Sequence, residues 1–128
     1  MDNFFTYRNE IFEYARNKYN TLPEYLWERF PDYAVLRHKD NRRWYALIMN
    51  ISKMKLGNYP DIPVDIINLK LSDPLAVELL TQQEGYFRGY HIKRGNWISV
   101  LLDGSVGFDE ICTLIDESFA ATGKKKKK

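Results

Sequence analysis

Gly89-Tyr90-His91-Ile92-Lys93-Arg94-Gly95-Asn96-Trp97-Ile98-Ser99-Val100-Leu101-Leu102-Asp103-Gly104, followed by Phe108 to Ala121, is the stretch on which the fold reading turns. Its first half predicts a short strand around Tyr90 to Lys93 and a tight turn at Arg94-Gly95-Asn96. Its second half predicts an apolar strand from Trp97 to Leu102, so the two together form a hairpin. Phe108, Ile111, Cys112, Ile115 and Phe119 then recur at the spacing of one helix face, the stripe of a helix packed on a sheet. Asp109 and Glu110 suit the positive end of that helix.

Working back toward the N-terminus, Tyr33 to His38 and Trp44 to Ile51 are rich in aromatic and branched residues and flank the turn-forming Lys39-Asp40-Asn41-Arg42. They predict another hairpin. Val64 to Leu71 predicts a further strand, after a loop carrying Gly57, Asn58, Pro60 and Pro63. Ser72 or Asp73 can cap a short helix with Pro74 at its first position, with Leu75, Leu79 and Leu80 expected inside and Gly85 expected to close it. At the start of the chain, Asp2 or Asn3 can cap a helix whose apolar residues run Phe4, Phe5, Ile11, Phe12, Ala15 and Tyr19, ending before Pro23. Short links between strands favour antiparallel pairing, so the predicted class is α+β, one antiparallel sheet with helices on one face. Phe12, Leu47, Ile67, Val100, Ile111 and Ile115 are the expected common core.

A length of 128 residues suits one domain, taken as residues 1–123, and a composition 45% hydrophobic and 15% aromatic suits a packed core. The single cysteine, Cys112, has no partner for an intramolecular disulfide, and no apolar run reaches membrane-spanning length. The N-terminus lacks the basic-then-apolar pattern of a secretory leader, so a cytoplasmic location is expected. Lys124 to Lys128 form a tail with nothing apolar to bury, expected to be disordered.

The net charge of +2 conceals a division within the chain. Without the tail, 14 Lys and Arg face 17 Asp and Glu. Yet residues 37–55 hold Arg37, Lys39, Arg42, Arg43, Lys53 and Lys55 against Asp40 alone, and residues 88–102 hold Arg88, Lys93 and Arg94 with no acid. Both predicted hairpins are therefore basic, and the acids lie largely on helices and their flanks.

Several stretches recur together: Pro23-Glu24-Tyr25-Leu26-Trp27, Phe30-Pro31-Asp32-Tyr33, Arg37-His38, Trp44 to Met49, Ser52-Lys53 and Leu56-Gly57. Beyond these come Val64-Asp65-Ile66, Gly89-Tyr90-His91, Trp97 to Val100 and Leu102 to Ser105. On these stretches the chain, from about Tyr7 to Ala121, resembles the MmcQ/YjbR family. The chain departs from the pattern at Gly95-Asn96 and at Gly107. The resemblance implies a CyaY-like (frataxin-like) fold and a double-wing arrangement assigned to DNA binding. Frataxin-like proteins hold iron on acidic helix residues, but the first helix here offers only Asp2, Glu10 and Glu13, too few to carry that property across.

No residue pattern points to an enzyme. Cys112 falls on the apolar stripe of the last helix, where burial raises a thiol's pKa and leaves it inert. Ser99 and Ser105 lack a Gly-x-Ser-x-Gly setting, and Gly104-Ser105-Val106-Gly107 is too short for a phosphate loop. His38 and His91 have no acids at ligand spacing, and a metal needs three or four ligands, so a structural role is expected for both and no metal or other cofactor. The expected activity is binding, with DNA as partner: Arg37, His38, Lys39, Arg42, Arg43, Lys53, His91, Lys93, Arg94 and Trp97 are the candidate contacts to phosphate, sugar or base. The alternative is a non-catalytic adaptor that takes a protein partner or small ligand in the cleft between sheet and helices. A monomer is the expected state.

Overall fold

The structure is a computed structural model, and it describes residues 4–92 and 94–123. The elements, in order, are α1 (Arg8–Tyr19), β1 (Ala34–Arg37), β2 (Trp44–Ser52), a 3₁₀ turn (Lys53–Leu56), β3 (Pro63–Lys70), α2 (Pro74–Leu80), β4 (Tyr86–Arg88), β5 (Trp97–Leu101) and α3 (Phe108–Ala121). The strands form one antiparallel sheet in the order β1-β2-β3-β5-β4.

Strand alternation divides the core in two. Ala34, Leu36, Tyr45, Ala46, Ile48, Ile67, Leu69, Ile98 and Val100 face the helices and pack on Ile11 and Ala15 of α1, Val77 of α2, and Ile111, Leu114 and Ile115 of α3. Val35, Leu47, Met49, Ile51, Val64, Ile66 and Leu101 face the other way, covered by loop and strand side chains including Trp27, Tyr33, Trp44, Phe87 and Tyr90. All three helices therefore sit on one face, as predicted. Leu47 does not share the core of Phe12, Ile67, Val100, Ile111 and Ile115, because it alternates with Ala46 and Ile48 and points to the loop-covered face.

Four further expectations are corrected. The first helix begins at Arg8, not at Asp2 or Asn3: the Tyr7 amide donates to the Leu102 carbonyl at 3.0 Å, and Thr6 and Arg8 both donate to Asp65, which draws residues before Tyr7 away from helical bonding. In α2 the Asp73 cap and Pro74 start are as expected, but Leu75 and Leu79 are exposed, and Val77 is the buried residue, with Ala76 and Leu80 partly buried beside it. A helix of seven residues has one narrow buried stripe, and Leu75 and Leu79, four apart, share the opposite one. Thr81 closes this helix rather than Gly85. Gly85, at φ +91°, instead admits close packing, since a Cβ there would lie 2.7 Å from Val106.

The strand expected at Tyr90 to Lys93 lies earlier, at Tyr86–Arg88. Past Arg88 the chain leaves the ladder: the Tyr90 amide donates to the Ser99 hydroxyl at 2.8 Å and His91 adopts φ 61°. The hairpin link is thus residues 89–96, longer than a tight turn.

A candidate nucleic-acid interface at one end of the sheet

The antiparallel order brings the β1–β2 link and the β4–β5 link out of the same end of the sheet. The centres of the two hairpins are three strand spacings apart, about 14 Å. Residues 38–43 form wing one and residues 89–96 form wing two.

Wing one is closed by the His38 amide donating to the Arg43 carbonyl at 2.9 Å, with Arg42 at φ 65°. Asn41 braces it. Its carbonyl oxygen accepts from the Arg43 amide at 2.8 Å, and its side-chain amide donates to the Thr122 carbonyl at 2.9 Å, fastening the wing to the end of α3. Lys39, Arg42 and Arg43 are exposed and make no ion pair among the described residues.

His38 is the brace beneath them. It is 5% exposed, its ring centroid lies 4.1 Å from that of Phe119, and its Nε2 is 2.9 Å from the Thr122 hydroxyl. That hydroxyl donates its own proton to the Ser118 carbonyl at 2.7 Å, so toward the imidazole it accepts and Nε2 carries hydrogen. Burial pushes the His38 pKa down and keeps the ring neutral at pH 7. His38 is therefore withdrawn from the candidate contacts and holds the structural role expected of it. Arg37 is withdrawn as well: its guanidinium is bound in bidentate fashion by Glu24, with Nε 2.8 Å from one carboxylate oxygen, and Glu24 is held below the usual carboxylate range by that bond.

Wing two hangs on a buried polar pair that the sequence reading did not single out. Asn68 and Ser99 are both 0% exposed, and they face each other as register partners on β3 and β5. Ser99 Oγ donates to Asn68 Oδ1 and accepts the Tyr90 amide, and the Asn68 side-chain amide donates to the Tyr90 carbonyl at 3.2 Å. Both backbone groups of Tyr90 are thus held by side chains. The signal was present as two polar residues interrupting apolar strands, since such groups are buried only with partners. At the far side of the wing, the Leu71 amide donates to the Asn96 carbonyl at 2.8 Å. His91 and Arg94 are exposed, while Lys93 lies outside the described residues.

Between the wings, Lys70 and Trp97 are register partners at this end of β3 and β5. Both are half-buried, and alternation sets them on the loop-covered face; Trp44, at the start of β2, reaches that face because a register shift opposite Leu36 and Arg37 leaves Tyr45 as an extra residue. Lys70 is a further cation of the interface, unnoticed in sequence because it stood alone outside both basic windows. Lys53 is not part of it. Nine-residue β2 carries the chain about 26 Å to the opposite end. There Lys53 Nζ is 3.9 Å from Asp103 and 4.8 Å from the centroid of Tyr59.

The cleft between sheet and helices is filled: Ile48, Ile67, Val100, Ile111 and Ile115 are each 0% exposed. Cys112 is half-buried, its thiol pushed up to about 11 by burial. Among the described residues no three His, Cys, Asp or Glu side chains converge as metal ligands, and no helix is long and apolar enough to cross a membrane.

Residues 16–121 match the model of the YjbR family. The chain belongs to the YjbR family. It is 41% identical over 115 residues to YyaQ of Bacillus subtilis (strain 168), covering 90% of this chain and 97% of that protein. A crystal structure of a protein from Pseudomonas syringae is similar with a TM-score of 0.86 at 46% identity, over 91% of this chain and 98% of that one. Protein DR2400 of Deinococcus radiodurans, 22% identical with a TM-score of 0.66 over 89% of this chain and 76% of its own, shares the fold. The α+β sheet with its two basic hairpins is thus a YjbR fold.

Proposed function

We propose that this YjbR protein binds nucleic acid without catalysing a reaction on it, gripping phosphates between the two wings with little preference for sequence. The observation that carries this reading is the placement of Lys39, Arg42, Arg43 and Arg94, exposed and unpaired among the described residues, on two loops leaving one end of the sheet. Their separation of about 14 Å is comparable to the width of a major groove, about 12 Å, so two wings can meet phosphates on either side of a groove. Lys70 stands on the floor between them, and Lys93 belongs to wing two by sequence. Trp97 and Trp44, both half-buried at this end of the sheet, are the aromatic residues closest in the fold to a bound sugar or base. The resemblance to the family implies a double-wing arrangement assigned to DNA binding, and this reading places its two wings at residues 38–43 and 89–96.

The acids do not cancel the cations here. Asp40, the one acid in wing one, faces Lys39, Arg42 and Arg43 there, so positive charge stays in excess. Burial of the layer between sheet and helices favours the wings over that layer as the binding surface.

The test is a salt titration of duplex and single-stranded DNA binding by protein ending at Gly123, which removes the lysine tail from both parent and variant. Changing Arg43, Lys70 and Arg94 together to Ala is expected to lower the slope of log K against log salt by roughly three units on duplex DNA, equally for unrelated sequences. A parent that binds no DNA at low salt, or a variant that binds like the parent, refutes the proposal.

A further inference from the structure

A recess of about 490 Å³ opens beside wing one, between the end of α1, residues 20–24 and the end of β1. Arg16, Arg37, Lys39 and Arg42 line it, with Glu24 and Leu22. Arg37 pairs with Glu24, which leaves Arg16, Lys39 and Arg42 as three cations around one concavity with no ion pair among the described residues. Other recesses lack this surplus. The one bordered by Phe4, Phe5 and Val64 has Lys53 facing Asp103, and the one along β4 has Arg88 bound to Glu78 and also holds Glu84.

The end of α1 would repel an anion if its carbonyls were open, because that end of a helix carries partial negative charge. They are partly closed. Asn20, in the left-handed conformation at φ 54°, donates its amide to the carbonyls of Ala15 and Arg16, and the Thr21 amide also donates to Ala15. Arg16 meanwhile adds a full positive charge at the same place.

We propose that this recess binds a phosphomonoester dianion, through Arg16, Lys39 and Arg42. A phosphomonoester carries nearly two charges at pH 7, as a diester in a strand does not, and three cations bordering one hollow match an end group better than a passing backbone. The volume lies within the range of small-ligand sites, and Leu22 with Pro23 supplies apolar wall for the body of the ligand. The site shares Lys39 and Arg42 with wing one but rests on the recess, not on the grip of the two wings. The phosphomonoester can come from a free nucleotide or from the phosphorylated end of a strand.

Adenosine 5′-monophosphate, adenosine and inorganic phosphate are titrated into the full chain while backbone amide resonances are followed, with 5′-phosphorylated and 5′-hydroxyl oligonucleotides as a second pair. The monophosphate is expected to shift the amides of Thr21, Leu22 and Lys39, and adenosine is not. Arg16→Gln should weaken the monophosphate about tenfold, the usual effect of losing one charge-assisted bond, and should leave the salt slope on duplex DNA unchanged. Glu24→Gln should strengthen it, because it frees Arg37 and removes the one acid, while the paired backbone bonds between Glu24 and Val35 keep the segment in place. Preference for the phosphorylated over the hydroxyl oligonucleotide identifies a strand end as a source, and binding of the mononucleotide alone identifies free nucleotide. Equal response to adenosine and its monophosphate, or equal monophosphate binding by parent and Arg16→Gln, overturns the site, whatever the duplex titration shows for the wings.

Discussion

His38 shows how one buried side chain shapes wing one from beneath. Its folded pKa lies below its ordinary value of 6.5 because burial opposes the charged ring. The unfolded chain therefore takes up the proton first, and the stability associated with a neutral His38 is present above pH 6.5 and lost as pH falls below it. Thermal unfolding followed from pH 7.5 to 5 should show this loss, and His38→Gln should flatten that part of the profile; an unchanged profile in the variant contradicts the assignment. Gly89 is the matching residue of wing two. A Cβ at this position would lie 2.3 Å from the Ile92 carbonyl oxygen and 3.0 Å from the Trp97 Cβ, and a backbone oxygen does not yield as the tip of a side chain would. Gly89→Ala is expected to cost about 1–3 kcal/mol, the cost of forcing atoms into a packed site, as read by denaturant unfolding. A variant as stable as the parent would show that the 89–96 link accommodates the methyl group.

Each wing is an element whose shape depends on a part of the chain distant in sequence. Wing one is fastened to Thr122 through Asn41 and His38, and wing two to Asn68 through Tyr90. Ser99→Ala removes the hydroxyl that both accepts the Tyr90 amide and donates to Asn68, so it should leave buried polar groups unpaired and cost about 1–3 kcal/mol. Its specific signature is fast hydrogen exchange at the Tyr90 amide with protection of β2 and β3 unchanged; continued protection of that amide would remove Ser99 as its support. These long-range ties explain what the sequence could and could not yield. The extent of α3, the helix start at Pro74, hairpin one and strand β5 were legible because periodicity, capping and alternation act over a few residues. The start of α1 and the place of β4 were not, because distant partners decide which amides enter a helix or ladder: the Leu102 carbonyl takes the Tyr7 amide and the Ser99 hydroxyl takes the Tyr90 amide. Among the candidate contacts, positive charge was visible but its neutralisation was not: nothing local joins Arg37 to Glu24 or Lys53 to Asp103.

At the scale of the whole molecule, one sheet joins a helical core to the two wings at its end. Ile115 is fully buried against the sheet, and Ile115→Ala should cost about 2–5 kcal/mol from lost burial and the cavity left behind. Denaturant unfolding reads this directly, and a cost below 1 kcal/mol, well under that range, would contradict the packing described. The opposite end is secured by Asp65, 3% exposed. Burial opposes its charge, yet bonds from Arg8, Asn50 and Thr6 hold its pKa below the ordinary 3.8. That contribution is present above pH 3.8 and is lost as pH falls through the lower, folded value, a window separate from that of His38. This secured end lies away from the wings and carries Lys53 beside Asp103, with Lys55 as its exposed cation, while the wing end carries exposed Lys39, Arg42, Arg43 and Arg94. The most direct measurement of the central claim is the salt dependence of duplex binding by protein ending at Gly123, beside its Arg43→Ala/Lys70→Ala/Arg94→Ala variant. Two wings gripping phosphates predict binding at low salt that weakens steeply as salt rises, and a slope shallower by roughly three units in the variant. No binding by the parent, or the same slope in both proteins, would contradict it.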